Sequence, residues 1–115
     1  MKQLKQLFVT YEIALKLKGL GFDEPCLAWF GSEDIFEISG NYKNSTHTIE
    51  YCVSAPLYQQ VNDWLREKHN IHLTINEMDF TIAGGNFETI KSGKFEFKNY
   101  YISYNNAIEK ALDLI

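Results

Sequence analysis

SAPLYQQVNDWLREKHNIHLTI, residues 54–75, is the stretch from which the fold can be read. From Leu57 onward the apolar positions fall at Leu57, Val61, Trp64 and Leu65, the spacing of one helix face, while Gln59, Gln60, Asp63, Arg66 and Glu67 fall on the other. Pro56 suits the position just before the helix or its first turn, where a missing N–H costs nothing, and Asn70 suits a left-handed stop behind Lys68 and His69. The period then changes to two. Ile71, Leu73 and Ile75 alternate with His72, Thr74 and Asn76, so the helix runs into a strand and has to fold back over the sheet which that strand enters. This unit predicts an α+β domain, and it carries no chemistry of its own.

Working outward, residues 9–20 predict a first helix, with Thr10 as N-cap, Ile13, Leu17 and Leu20 on one face beside Ala14, and Gly21 as the stop. Residues 26–30 and 35–38 are short apolar runs on either side of a Gly31–Asp34 turn, which makes a hairpin. Residues 40–45, GNYKNS, are polar and turn-prone, and residues 47–53 alternate as a third strand with Ile49, Tyr51 and Val53 on one side and Thr48, Glu50 and Cys52 on the other. Beyond the central unit, residues 76–79 read as loop, 80–83 as a strand, Gly84 and Gly85 as a turn, and 87–90 as a returning strand. Residues 94–98, KFEFK, alternate with Phe95 and Phe97 inward, in the manner of a charged edge strand. A last helix begins near Ser103, its apolar stripe being Ala107, Ile108, Ala111, Leu112 and Ile115. The order α-β-β-β-α-β-β-(β)-α, with every helix one-sided, predicts about three helices on one face of a mostly antiparallel sheet, in a single domain over residues 1–115.

Composition narrows the function classes. A chain of 115 residues, 45% hydrophobic and 23% charged, is ordinary for one globular domain and too rich in Phe, Tyr and Ile for a disordered one. Eleven Lys and Arg against 15 Asp and Glu give a net charge of -4, so the basic excess that drives phosphate-backbone binding is missing and nucleic acid is an unfavoured partner. Nucleic-acid binding would need a local stripe built from lysines such as Lys91, Lys94 and Lys98. The opening MKQLKQLFV breaks its apolar run at Gln3 and Gln6, unlike a secretory signal, and no window has the length of a membrane span. Two cysteines, Cys26 and Cys52, in such a chain read as buried thiols rather than a disulfide. The expected location is the cytoplasm.

The reactive side chains do not assemble into a familiar pattern. His69 and His72 straddle the helix-to-strand break, so their spacing lacks helical geometry, and His47 belongs to another segment; all three read as solvent-facing rather than metal ligands. Neither cysteine has the electropositive, exposed setting that activates a thiol. Glu33, Asp34 and Glu37 cluster around one turn, where sequence neighbours cannot oppose each other across a cleft, and Gly84 with Gly85 lacks the spacing and following Lys of a phosphate loop. No catalytic, metal-binding or cofactor-binding residue is expected. The feature in excess of what folding needs is the run NYYISY, residues 99–104, because rigid amphipathic rings are enriched at contact surfaces. Trp29, Tyr100, Tyr101 and Tyr104 are therefore the candidate binding residues.

Three blocks give the chain a likeness. VTYEIALKLKGLGFDEPC (9–26), SAPLYQQVNDWLREKH (54–69) and SYNNAIEKALDLI (103–115) together resemble a family of short uncharacterised proteins of bacteria, their phages and mobile elements. The resemblance brings no activity, cofactor or catalytic residue with it. Two departures bear on helix starts: the family usually has Thr where Leu57 stands, and acidic residues where Asn105 and Asn106 stand, so the capping box of each helix loses a member. The function expected is a non-enzymatic module that binds another protein or a second copy of itself. The alternative is a small-molecule-binding domain or minor enzyme with a site between sheet and loops, around Trp29 and Tyr101.

Overall fold

Thr10 opens the first long helix as the sequence requires: its backbone is extended, and its hydroxyl accepts from the Ile13 N–H at 3.4 Å. The computed structural model describes residues 2–46, 52–75, 79–84, 89–94 and 100–115. Within them the chain divides into two compact units, Met1–Leu57 and Tyr58–Ile115. Its class is α+β, with all strand pairings antiparallel among the described residues, as expected. Among the described residues the strands form two three-stranded sheets rather than one.

The first unit holds a single-turn helix α1 (Lys2–Lys5), helix α2 (Tyr11–Gly19) and strands β1 (Cys26–Ser32), β2 (Ile35–Tyr42) and β3 (Val53–Ala55), in the sheet order β2-β1-β3. Gly21, at φ 90°, ends α2 as predicted. Phe22 N–H reaches back to Leu17 O and Gly21 N–H to Lys18 O, and buried Phe22 closes the end against buried Leu17's turn. Ile13, Ala14 and Leu17 are the buried face of α2, which lies against β3. Ala28 of β1 pairs with Ala55 of β3, and both are fully buried. Beside them Phe30 and Phe36 tilt together at 5.0 Å, Phe8 meets Phe36 edge-on at 5.5 Å, and Tyr11 meets Phe30 likewise. Phe8 also forms a lone antiparallel bridge with Leu57.

The piece read as a plain polar turn does more than turn. Gly40 to Tyr42 belong to β2, and Asn44–Thr46 is a short 3₁₀ helix. Asn44 Nδ2 donates to Phe22 O at 2.8 Å while Asn44 Oδ1 accepts from the Ser54 N–H at 2.9 Å, and Ser45 N–H donates to Asp23 Oδ1 at 2.7 Å. Ser54, fully buried, spends its hydroxyl on Tyr42 O at 3.1 Å. The two bonds to Ser54 satisfy the polar groups of a fully buried residue in β3. The third strand itself is seen only as Val53–Ala55; the expected alternation through Ile49 and Tyr51 lies outside the described residues.

The second unit holds helix α3 (Tyr58–His69), strands β4 (His72–Ile75), β5 (Asp79–Ala83) and β6 (Thr89–Lys94) in the order β4-β5-β6, and helix α4 (Tyr100–Leu112). Val61, Trp64 and Leu65 are buried as predicted, Trp64 at 5% exposure. Leu57 is not the first residue of that stripe. It is half-buried outside the helix, and Tyr58 takes its place, one position later, because the chain at Leu57 is still extended in its bridge to Phe8. Asn70 has φ 56° and turns the chain, with Ile71 N–H bonded to Leu65 O at 3.0 Å, so the strand starts at once. Leu73 pairs with Ile82, and both are buried. Phe80 pairs with Gly93 and lays its ring where a Gly93 side chain would stand.

Two boundaries shift. The last strand is β6 (Thr89–Lys94), which spans the gap between the two segments expected at 87–90 and 94–98; Phe87, Phe95 and Phe97 lie outside the described residues. Helix α4 begins three residues before Ser103, and Ile115 is exposed instead of completing the stripe, since the helix has ended at Leu112.

Candidate interaction surface

The four candidate binding residues have different fates. Tyr104 is not a surface residue: at 6% exposure it stacks on Tyr58, with ring centroids 4.9 Å apart, and its hydroxyl accepts from Asn62 Nδ2 at 3.3 Å. Asn62 Nδ2 also donates to Leu73 O at 3.2 Å, and Tyr58 Oη donates to Asn105 Oδ1 at 3.2 Å, so this ring pair ties α3 to β4 and α4 inside the second unit. Burial, then the neighbouring Tyr104, pushes the Tyr58 hydroxyl pKa up, which keeps it a neutral donor. Periodicity could have flagged Tyr104, which lies three and four positions before Ala107 and Ile108. Tyr101 is half-buried, and the side chain of Tyr100 lies outside the described residues. Trp29 is half-buried in the first unit, its Nε1 donating to Ser39 Oγ at 3.2 Å across the β1–β2 pair.

Reactive groups are quiet where they are described. Cys26 and Cys52 are buried free thiols; burial pushes Cys26 up to about 12, and its Sγ donates to Glu24 O at 3.3 Å. His69 is not wholly given to solvent, since its ring meets Trp64 edge-on at 4.6 Å, and His72 is half-buried opposite Ala83. His47 lies outside the described residues, and among those described no three His, Cys, Asp or Glu side chains are grouped to hold a metal ion. Glu33, Asp34 and Glu37 are exposed at and beside the hairpin turn. Of the lysine stripe, Lys91 is exposed on β6, while the side chain of Lys94 and all of Lys98 lie outside the described residues. No described helix is long and apolar enough to cross a membrane.

What the fold leaves unspent is concentrated on the β1–β2 hairpin. Seven of the eight β2 positions are exposed, and β2 is the edge of its sheet among the described residues. Ile35, Ile38 and Tyr42 on β2 and Leu27 on β1 are four of the ten large apolar side chains exposed among the described residues, with Leu27 at 55% and Ile35 at 53%. Trp29, Ile35 and Glu37 share the face turned away from Phe30 and Phe36: Trp29 pairs with Glu37, and a side chain on Gly31 would meet both Trp29 and Ile35 at 3.2 Å. Glycine lets those two approach over the strand. Ile38 and Tyr42, paired with Ala28 and Cys26, lie on the other face, so apolar side chains flank the strand on both sides, and an open strand edge of that kind can add an extended segment by backbone hydrogen bonding and pocket its side chains. By its residue pattern the stretch 35–38 is an ordinary hairpin arm, and Trp29 alone stands out in this unit; the alternation of Ile35, Glu37 and Ser39 is the signal that points to the exposed face. No family model, no curated protein and no solved structure matches this chain.

Proposed function

We propose that the chain is a non-enzymatic protein-binding module whose contact surface is the β1–β2 hairpin. The observation that supports this most is the exposure of Leu27, Ile35, Ile38 and Tyr42 on and beside an edge strand, since a soluble domain keeps long apolar edges covered, bulged or charged unless something uses them. Two buried thiols are in keeping with a reducing, cytoplasmic setting. The three sequence blocks support membership in the short bacterial and phage family they resemble, to which the same module role would extend.

The test is site-specific photocrosslinking in cells of the source organism, with the crosslinker replacing Leu27 or Ile35 and, as control, the exposed Leu114. Discrete adducts from the hairpin positions that are absent from position 114 are expected. Equal labelling at all three, or none, refutes the reading.

A further inference from the structure

The charge of the hairpin selects among the things that could cover it. Residues 26–42 contain Glu33, Asp34 and Glu37 and no Lys, Arg or His, so three of the chain's acidic groups stand on this one element with no cation between them. All three are exposed. A second copy docked edge to edge would bring two such sets together in a chain whose net charge is already -4. A cationic strand meets no such opposition.

We infer that the β2 edge takes an extended segment of another protein in which lysine or arginine alternates with aliphatic residues, added as a fourth strand. This rests on the protein-binding reading above and names the partner's chemistry. From Ile35 to Ile38 the strand pairs residue for residue with Ser32, Phe30, Trp29 and Ala28 apart from a bulge at Gly31, so its outer edge runs regularly there. Past Ile38 the pairing slips before Tyr42, and Gly40 takes φ 76°, which bends the strand and ends the usable edge. The incoming strand therefore reads Ile35 to Ser39. On one face it meets Ile35 and Glu37, two residues apart, and on the other Phe36 and Ile38. A basic residue opposite Glu37 gains a charge pair, and the aliphatic residues that alternate with it fall on the other face, where they bury area against Ile38, which the fold leaves exposed. Lys5 stands 5.5 Å over the Phe36 ring, on the face opposite Glu37, so it does not neutralise that carboxylate's face.

The probes are two capped heptapeptides, TVKVKVT and TVEVEVT, titrated into the isotope-labelled full chain and followed by amide NMR shifts. The lysine peptide is expected to move the amides of residues 35–39 and to bind about tenfold more tightly at low salt than the glutamate peptide, a margin that shrinks as salt is added. Glu37→Gln, an exposed substitution whose unchanged spectrum elsewhere shows a folded chain, should remove most of that preference. Equal binding of both peptides, shifts centred away from β2, or no binding at millimolar peptide overturns the cationic-strand inference. So does dimerisation of the free chain through the same amides. If hairpin crosslinks form while the peptides fail, the partner chemistry is wrong and the module reading stands; if the crosslinks fail as well, both fall.

Discussion

Asn44→Ala tests whether one side chain holds the first sheet to the loop behind it. Asn44 is half-buried, and its amide group makes two bonds to backbone: it donates to Phe22 O at 2.8 Å and accepts from the Ser54 N–H at 2.9 Å. Ser54 is fully buried, so removing the acceptor strands its N–H away from solvent, while the Phe22 carbonyl loses a donor at the end of α2. A buried polar group left unsatisfied costs about 1–3 kcal/mol. The hole left by the amide is near enough to the surface for water to recover part of the second loss, which gives about 2–4 kcal/mol in all. Asn44→Asp keeps the acceptor for Ser54 and replaces only the donor, so about 1–2 kcal/mol is expected, the smaller of the two effects. Urea unfolding followed on the two indole N–H signals is the assay, because Trp29 reports the first unit and Trp64 the second. Ser54 amide exchange, measured alongside, should accelerate in the alanine variant and stay slow in the aspartate one. A loss below about 0.5 kcal/mol on the Trp29 signal, with the slope unchanged, would mean that the loop is held by something else.

Trp64→Ala removes a buried ring that also supports His69, and should cost about 3–5 kcal/mol by urea unfolding followed on far-ultraviolet circular dichroism; a value under about 1 kcal/mol would put the ring outside the core. Gly93→Ala places a methyl 2.8 Å from the Phe80 ring, which is itself buried, so an overpacking loss of about 1–3 kcal/mol is expected, and a stabilised variant would contradict the pairing of Phe80 with Gly93. Cys26, buried and raised to about 12, should resist a thiol reagent at pH 8 until urea unfolds the chain; fast labelling of the folded protein, located at Cys26 by peptide mapping, would refute its burial. The Asp23 carboxyl is held below its ordinary 3.8, first by the Ser45 N–H and then by the Ser45 side chain. Because the folded value is the lower one, the stabilisation is complete above pH 3.8 and is lost as pH falls through the folded value. Asp23→Asn should therefore be less stable than the native chain at pH 6 and converge on it in more acidic solution, and a gap independent of pH would sink this account.

Most of the scaffold was legible because its signals are local. Thr10, Gly21 and Asn70 each fix a backbone conformation with a single side chain or its lack, and they sit where the sequence put them. Val61, Trp64 and Leu65 show their shared face by spacing alone. What failed to show depends on partners distant in sequence. Leu57 looks helical by period, yet its bridge to Phe8, 49 positions earlier, keeps it extended. Tyr104 looked like a contact residue because its ring has a polar tip, and its burial depends on Tyr58 and Asn62, 46 and 42 positions away. The division of strands between two sheets is of the same kind, since alternation tells which residues share a face and not which strand lies alongside. Of the candidate surface, only Trp29 was visible in advance. That β2 stands at the edge among the described residues is a property of the sheet order, which no periodicity carries.

The two units solve one problem in the same way, and the solution marks what the hairpin lacks. In the first unit Asn44 donates to the carbonyl of Phe22; in the second, Asn62 donates to the carbonyl of Leu73 and to Tyr104 Oη. Each time a half-buried carboxamide closes a seam between elements with a directional bond, which apolar contact alone would leave free to slide. The side chains of Leu27, Ile35 and Ile38 have no polar atom with which to form such a bond, and their exposed apolar surface carries no corresponding gain in the isolated chain. Covering a fully exposed Leu or Ile is worth about 1.5–3 kcal/mol, so three half-exposed ones withhold a few kcal/mol that folding does not collect and association can. On this argument, Ile35→Thr and Leu27→Thr should leave folding stability within about 0.5 kcal/mol while weakening capture of the partner, and a large loss of stability would instead assign those side chains to the core.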